Sequence, residues 1–292
     1  MMYILENETM RIKVSSMGAE LQSVRRIDTD TEYLWQGDPA YWGRRANNLF
    51  PVCGRLAGGG YTYRGQRYEM GAHGFARNKE WSVLRQKVDT LTLQLLPDEE
   101  TLAAYPFRFA LEMTYALQEN RLSVTTIVRN EDDKTMPFAI GGHPGFNVPL
   151  TAGGQFEDYY IEFDQPCNPL KFELAENCFF TGRMVGQELE EDRRLSLRHS
   201  LFDQDAIFLK DAAKGVALRS TADGRGVHMA YPDAPYIGLW HNPKTDAPFV
   251  CIEPWVASPA QEILWEDIEK KADMLHLEAG GAYRNTYVIT LE

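Results

Sequence analysis

Two histidines and one glutamate lie in segments that would suit general acid–base chemistry. His143 stands among glycines and before a proline in "AIGGHPGFNVPL", and His73 precedes a glycine in "MGAHGFARNKEW". The X-Pro bond holds His143 outside the helical region, and the glycines let backbone approach closely. Glu253 follows the apolar run 249–252 and precedes Pro-Trp, where burial raises the pKa of a carboxyl toward that of a general base. Taken singly, each residue also fits a capped turn or a strand end that reaches solvent.

Other polar residues could hold a substrate near these groups. Arg55 follows Gly54 and precedes a glycine run, so its planar guanidinium could lie across a groove. Asp203 and Asp205 occupy alternate positions of "LFDQDAIFLKD", which predicts a strand with both carboxylates on one face. The remaining histidines occur in charged or polar stretches and are expected at the surface or in turns: His199, His228, His241 and His276.

The elements that must position these residues are mostly strands. Short runs rich in Val, Ile, Leu, Phe, Tyr and Thr recur between Gly, Asn, Asp or Pro, and Arg64-Gly65 predicts a hairpin turn. Helices are expected to be few and short, one after Asp98 and one at "LEEDRRL" near residue 189. Because no repeat or linker interrupts the series, we expect an all-β chain that forms a large antiparallel β-sandwich or barrel, as one domain over residues 1–292.

Composition argues against several classes of protein. The net charge of −12 disfavours a nucleic-acid surface, because phosphate binding needs clustered Lys and Arg. No apolar run approaches the roughly 20 residues of a membrane span, and the first residues lack an export signal, which favours a cytoplasmic location. Four scattered cysteines without a C-x-x-C pair indicate reduced thiols and no structural zinc site: Cys53, Cys167, Cys178 and Cys251.

Five segments taken together resemble one known family. In chain order they are "NLFPVCGRL", "HGFAR", "GGHPGF", "DQDAIF" and "IEPW", and the similarity extends from the "GAEL" at Gly18 to the closing strand. They look like the aldose 1-epimerase (galactose mutarotase) family, and most like its bacterial LacX-type branch. The resemblance implies a β-supersandwich with a few short helices and a substrate groove across one sheet. It also implies interconversion of the α and β anomers of a hexose, with no cofactor and no metal.

The resemblance assigns a role to each candidate residue. The general acid falls on His143 and the general base on Glu253, a pair that predicts a bell-shaped pH profile. The residues that would hold the sugar hydroxyls are Arg55, His73 and Asp205, and Asp203 remains an alternative to Asp205. Aromatic rings pack on the C–H faces of sugars, and the candidates here are Trp35, Trp42, Phe75, Trp240 and Trp255. We expect Phe75, Arg77 and Trp255 among the substrate-binding residues.

Three alternatives stay open at this stage. A hexose 6-phosphate could be the substrate, since Arg44, Arg45 and Arg77 are near the expected groove, although the net charge of −12 favours a neutral free aldose. A non-catalytic carbohydrate-binding sandwich would not need both an acid and a base. A glycoside hydrolase or lyase would use two carboxylates or a metal. The expected partner is a small-molecule sugar, and the chain could be a monomer or a dimer.

Overall fold

A computed structural model describes residues 1–222 and 224–292. The first strands are β1 Met2–Glu6, β2 Met10–Ser15, β3 Leu21–Arg26, β4 Thr31–Glu32, β5 Ala46–Leu49, β6 Gly60–Tyr63, β7 Gln66–Glu69 and β8 Ser82–Gln86. The next are β9 Thr90–Leu95, β10 Phe109–Gln118, β11 Arg121–Asn130, β12 Met136–Phe138, β13 Gly141–Asn147, β14 Tyr159–Phe163, β15 Leu170–Leu174 and β16 Phe180–Gly186. The last are β17 Arg194–Ser196, β18 Ile207–Lys210, β19 Gly215–Ser220, β20 Gly226–Ala230, β21 Tyr236–Trp240, β22 Phe249–Trp255, β23 Leu275–Leu277 and β24 Ala282–Leu291. Helix α1 spans Glu99–Ala104, and short 3₁₀ turns span Ala57–Gly59, Ala76–Asn78, Phe156–Asp158 and His199–Phe202.

Two large antiparallel sheets form the body of the protein. One has nine strands in the order β17-β14-β19-β20-β24-β11-β10-β9-β8, and the other has seven in the order β16-β15-β18-β21-β22-β13-β5. A four-stranded sheet, β1-β2-β3-β4, and two strand pairs accompany them. Buried apolar residues of both large sheets belong to one continuous core. The expected antiparallel β-sandwich is confirmed.

The sheets come close together beneath strand β13. Gly142 of this strand faces Tyr287 of β24, and a Cβ on Gly142 would lie 2.9 Å from the tyrosine ring. Tyr287 is buried, and it belongs to the alternating inward face of β24. Only glycine allows this approach, so β13 rests directly on the middle of the opposite sheet.

The predicted hairpin turn is present. Arg64 and Gly65 join β6 to β7, and both residues have positive φ angles, 48° and 79°. Two consecutive positive φ values define the type I′ turn, whose twist matches that of the flanking strands.

One of the two predicted helices forms. Asp98 caps α1, since its side chain accepts a hydrogen bond from the backbone N–H of Thr101 at 2.7 Å. The second prediction, at "LEEDRRL", is wrong. Glu191 and Asp192 have φ angles of 51° and 57°, and this left-handed backbone makes a tight turn into β17 instead of a helix.

The surface prediction for His241 is also wrong. This ring is fully buried against Phe156, Phe202 and Phe249, and its Nε2 lies 3.2 Å from Nδ1 of His199. Burial lowers the pKa of His241 to about 4, so the imidazole is neutral and behaves as a polar core residue.

Within the described residues, no helix has both the length and the apolar character needed to cross a membrane.

We predict that Gly74→Ala destabilises the fold at the turn that carries His73. Gly74 has a φ of 69°, and an added Cβ would lie 2.1 Å from the carbonyl oxygen of Phe50, which accepts hydrogen bonds from residues 75 and 76. We expect a loss of about 3 kcal/mol or more in the free energy of unfolding, measured by urea denaturation.

Gly71→Ala is the matched control. Gly71 is exposed, and its added Cβ would meet no atom within 4 Å. Its effect should stay within about 0.5 kcal/mol. Equal stabilities for the two variants would contradict the close approach at Gly74.

Candidate active site

A cavity of about 270 Å³ opens on one face of the seven-stranded sheet. Residues from many separate segments of the chain line it: Trp42, Asn47, Gly54, Arg55, Ala72, His73, Arg77, His143, Asp205, Ala206, Phe208, Trp240, Glu253 and Trp255. The structure therefore brings together the expected acid, the expected base and the expected polar binding residues. It also adds aromatic walls on several sides.

Strand pairing places His143 opposite Glu253. Strands β13 and β22 are antiparallel, with Gly141 paired to Trp255 and Gly145 paired to Cys251. The same register sets His143 and Glu253 across from each other, midway between these two pairs. Their side chains meet on the cavity face, where His143 Nε2 lies 3.4 Å from Glu253 Oε1.

The sequence put Glu253 just after the apolar run 249–252, and the structure corrects this by placing it within the strand. His143 lies inside β13 and Glu253 lies inside β22, each followed by a proline within its strand. A proline disrupts a central strand because it lacks an N–H. Here residues 142–144 have no ladder partner on β22, so Pro144 is tolerated and the facing side chains gain room.

Aromatic rings pack around the His143 imidazole and hold it in place. Trp42 stacks on it with ring centroids 4.8 Å apart and an interplanar angle of 26°. Trp240 and His73 meet it edge-on at 5.6 Å and 5.4 Å. Nδ1 of His143 is buried without a hydrogen-bond partner in the described residues. Packing against rings therefore fixes the orientation of Nε2 toward Glu253.

Burial controls the protonation of the pair. The Glu253 and His143 side chains are only 3% and 8% exposed. Burial raises the pKa of Glu253 well above 4.5, and a nearby charge, Asp205, adds to the increase. Burial also lowers the pKa of His143 to about 3. Each shift avoids an isolated charge, so the two groups together retain one proton over a wide pH range.

The backbone fixes the hydrogen-bonding role of His73. The N–H of Gly54 donates to His73 Nδ1 at 3.2 Å, and the N–H of His73 donates to the Gly54 carbonyl at 2.8 Å. Burial, followed by the neighbouring His143, lowers the pKa of His73 well below 6.5. With Nδ1 accepting, the neutral ring carries its proton on Nε2, which makes that nitrogen a donor.

Asp205 links a cation and an indole at the cavity wall. Its Oδ2 accepts from Arg55 Nη1 at 2.8 Å, and its Oδ1 accepts from Trp240 Nε1 at 2.8 Å. Both carboxylate oxygens are thus engaged, and the side chain is 11% exposed while that of Arg55 is half exposed. The guanidinium is held at the mouth of the cavity with one edge free for a ligand.

The structure separates the two aspartates that sequence spacing had grouped together. Asp203 is exposed and does not line the cavity, whereas Asp205 does. Both precede β18 instead of lying in it, so the prediction of a shared strand face is wrong. Asp205 has a φ of 75°, and this turn conformation sends its side chain to Arg55.

Of the other expected binding residues, Arg77 and Trp255 line the cavity and Phe75 does not. The Phe75 ring packs in the core against Phe50, Tyr105 and Phe109. Its assignment to substrate binding is therefore corrected. The Phe75 side chain turns inward where the N–H groups of Phe75 and Ala76 both donate to the carbonyl of Phe50.

The arginines near the cavity are only partly available. Arg77 donates from Nη2 to the Ala72 carbonyl at 2.8 Å, and its Nε is buried without a partner in the described residues. Burial lowers the pKa of Arg77, with Arg44 as a second cause. Arg44 donates a hydrogen bond to Asn78 Oδ1, and Arg45 donates one to Gln22 Oε1, away from the cavity.

Sequence reasoning missed two groups in this site. Asn47 is buried opposite His143 on β5, and its Oδ1 has no partner in the described residues. The two adjacent asparagines, Asn47 and Asn48, interrupt an otherwise apolar stretch, and this pattern could have indicated a buried polar group. The sequence also predicted no metal-ligand cluster, yet His143, Cys251 and Glu253 offer donor atoms within 4.8 Å of one another.

Comparisons with known proteins agree with this fold. The family model for aldose 1-epimerase matches residues 1–275. The plasmid protein LacX of Lactococcus lactis is 34% identical over 268 residues, which cover 86% of each chain. A galactose mutarotase related enzyme from Lactobacillus acidophilus superposes with a TM-score of 0.95 at 35% identity, over 100% of this chain and 97% of that chain. A galactose mutarotase-like protein from Lactobacillus casei gives 0.94 at 32% identity, over 100% of both chains.

We predict that the two cavity histidines stay neutral in mildly acidic solution. Long-range ¹H–¹⁵N spectra should show His73 as the Nε2–H tautomer, and both His73 and His143 should stay neutral as the pH falls through 6.5, the ordinary imidazole pKa, because burial opposes the charge. The variants His73→Gln and His143→Gln identify the signals. Protonation of either ring near pH 6.5 would contradict the buried geometry.

Proposed function

Because the chain belongs to the aldose 1-epimerase family, we propose that it is a mutarotase that interconverts the α and β anomers of a free hexose. Glu253 acts as the general base and His143 as the general acid. The observation that carries the proposal is the buried pair itself, a carboxyl and an imidazole 3.4 Å apart in a cavity lined by hydrogen-bonding groups. The reaction needs these two groups and no cofactor.

Ring opening moves two protons and breaks one bond. Glu253 takes the proton of the C1 hydroxyl while His143 gives a proton to the ring oxygen O5. The C1–O5 bond breaks with its electron pair going to O5, and C1 becomes an aldehyde. Rotation about the C1–C2 bond presents the other face of the aldehyde, and reversal of both transfers closes the ring as the other anomer.

The buried setting favours the opening step. The reacting pair is Glu253 carboxylate with His143 imidazolium, and it forms when the shared proton crosses the 3.4 Å contact to the imidazole. Ring opening then leaves a neutral carboxyl and a neutral imidazole. Since burial raises the pKa of Glu253 and lowers that of His143, the cavity stabilises these products of proton transfer. Desolvation thus favours the two proton transfers once the carboxylate–imidazolium pair has formed.

The remaining polar groups orient the sugar. Nε2–H of His73 donates to one hydroxyl, and the free edge of Arg55 donates to another while Asp205 holds it in place. Asn47 presents an unpaired carbonyl oxygen as an acceptor. The Trp255 ring forms part of the cavity wall, where it can contact C–H groups. Such groups raise the rate by holding C1 and O5 in reach of the pair.

The charge of the cavity favours a neutral aldose over a sugar phosphate. Of the three arginines suggested by the sequence as a phosphate clamp, only Arg77 lines the cavity. Arg55 also lines it but is already paired with Asp205. A phosphate dianion would need further unpaired cations, or it would remain partly uncompensated. Glucose 6-phosphate is therefore the discriminating competitor.

A non-catalytic sugar-binding protein is the second candidate function. It would use the same aromatic walls and hydroxyl donors. Such a protein would gain nothing from burying an acid and a base, because burial destabilises the charged forms of both groups. Measurement of anomer exchange separates the two, because a binding protein leaves the rate unchanged.

We predict that Glu253→Gln and His143→Asn each slow anomer exchange by about 10² to 10⁴-fold. Each variant removes one partner of the proton transfers and keeps nearly the same volume. Polarimetry of freshly dissolved α-glucose or α-galactose measures the decay of optical rotation to an endpoint that the enzyme does not alter.

Asp203→Asn is the control, since this carboxylate is exposed and lies outside the cavity. It should retain the wild-type rate. Near wild-type exchange by Glu253→Gln or His143→Asn, with unchanged circular dichroism, would refute the proposed roles. Inhibition of glucose exchange by micromolar glucose 6-phosphate would instead indicate a phosphate-binding site.

We predict a pH profile with a broad top. The pair works when it holds one proton, so activity falls on the acid side only as the pH approaches about 3, the lowered pKa of His143. On the alkaline side it falls when Glu253, whose pKa burial raises well above 4.5, loses the shared proton. Exchange rates corrected for buffer catalysis test this. A single acid limb near pH 6.5, the ordinary imidazole value, would contradict it.

A further inference from the structure

A third group that the proposed reaction does not use lies close to the acid–base pair, behind the residues that line the cavity. Cys251 and Glu253 are two residues apart on β22, so their side chains lie on the same face of the strand. Cys251 is fully buried, and its sulfur packs near Gly145, where an added Cβ would lie 3.3 Å from Sγ. Together with His143, these residues offer one nitrogen, one sulfur and one oxygen within 4.8 Å of one another.

We propose that His143, Cys251 and Glu253 form a Zn²⁺ site, and that bound zinc reversibly inhibits the enzyme. The existence of the metal site is independent of the proposed function. Only the inhibition rests on it. Because the ion occupies the acid and the base, zinc acts here as an inhibitor and not as a cofactor.

The distances fit zinc. A tetrahedral ion with bonds of about 2.1 Å to nitrogen and to oxygen separates these two atoms by about 3.4 Å. The observed separation of His143 Nε2 and Glu253 Oε1 is 3.4 Å. The sulfur now lies within 4.8 Å of the nitrogen and the oxygen. A Zn–S bond of about 2.3 Å requires shorter sulfur–nitrogen and sulfur–oxygen distances, so the thiolate moves toward the pair by about 1 Å when zinc binds.

The charge balance is equally suitable. Before binding, the acid–base pair holds one proton and the thiol holds another, so the buried cluster is neutral. Zinc binding displaces both protons to solvent and leaves a neutral imidazole, a carboxylate and a thiolate around a divalent cation. The net charge stays at zero, which avoids the large cost of an uncompensated charge in a buried place.

The ligand types select the metal. One imidazole and one thiolate favour zinc over magnesium and calcium, which prefer oxygen ligands. Three protein ligands leave a fourth position that faces the cavity, where water or a sugar hydroxyl can bind. Coordination occupies the Nε2 lone pair of His143 and the reacting oxygen of Glu253. Neither group can then exchange a proton with the substrate.

Cobalt spectroscopy tests the site without reference to activity. Co²⁺ added to metal-free protein should give tetrahedral ligand-field bands and a thiolate-to-metal charge-transfer band, and Zn²⁺ should displace it. Cys251→Ser should abolish the charge-transfer band and weaken zinc binding by at least about tenfold. Cys53→Ser is the matched control, because this thiol is also buried, lies against Gly141 beside the site, and is not one of the three proposed ligands. It should keep the band.

Measurements of activity separate the proposed zinc site from the proposed function. Zn²⁺ should slow anomer exchange in the wild type, EDTA should restore it, and Cys251→Ser should need at least about tenfold more zinc for the same inhibition. Cys251→Ala serves as a second variant if the serine form does not fold. An octahedral cobalt spectrum, or a charge-transfer band that survives in Cys251→Ser, overturns the metal site. Tetrahedral thiolate-bound cobalt in a protein with no exchange activity supports the metal site and refutes the proposed function.

Discussion

The antiparallel register between β13 and β22 is the constraint on which the site depends. It sets His143 against Glu253 through the flanking pairs of Gly141 with Trp255 and Gly145 with Cys251. A slip of one residue would turn the whole set to the opposite face of the sheet. The contact of Gly142 with Tyr287 on the opposite sheet opposes a slip that would bring His143 to this place, since even a Cβ there would lie 2.9 Å from the tyrosine ring. Fold and chemistry are therefore fixed by the same strand pairing.

Burial is the second determinant, and it favours the neutral form of several groups in the cavity. It keeps His73 and His143 neutral and keeps a proton on Glu253. A neutral imidazole has one nitrogen that donates and one that accepts, and the contacts of the ring decide which nitrogen has which role. For His73 the Gly54 N–H makes that choice, and for His143 the surrounding rings set the direction of Nε2. The cavity thus controls proton positions by exclusion of water, with little use of charged neighbours.

The sequence predicted the architecture better than the local details of the site. Alternating strands and the Arg64-Gly65 turn reflect interactions between near neighbours in the chain, and they predicted the sandwich correctly. The inward turn of Phe75 and the burial of His241 depend on distant segments that no local pattern reveals. Asp205 likewise takes its place from a positive φ angle. The family resemblance grouped the polar residues, but only the strand register shows why they meet.

Strand β24 has a consequence for how the protein is made. It is the middle strand of the nine-stranded sheet, between β20 and β11, yet the ribosome produces residues 282–291 after every other strand of that sheet. Until then the nascent chain carries two half-sheets, each with an unpaired edge that can associate with other chains. Tyr287, on which β13 rests, also arrives in this last segment. Synthesis that stalls before residue 282 therefore leaves β13, and with it His143, without its support from the opposite sheet.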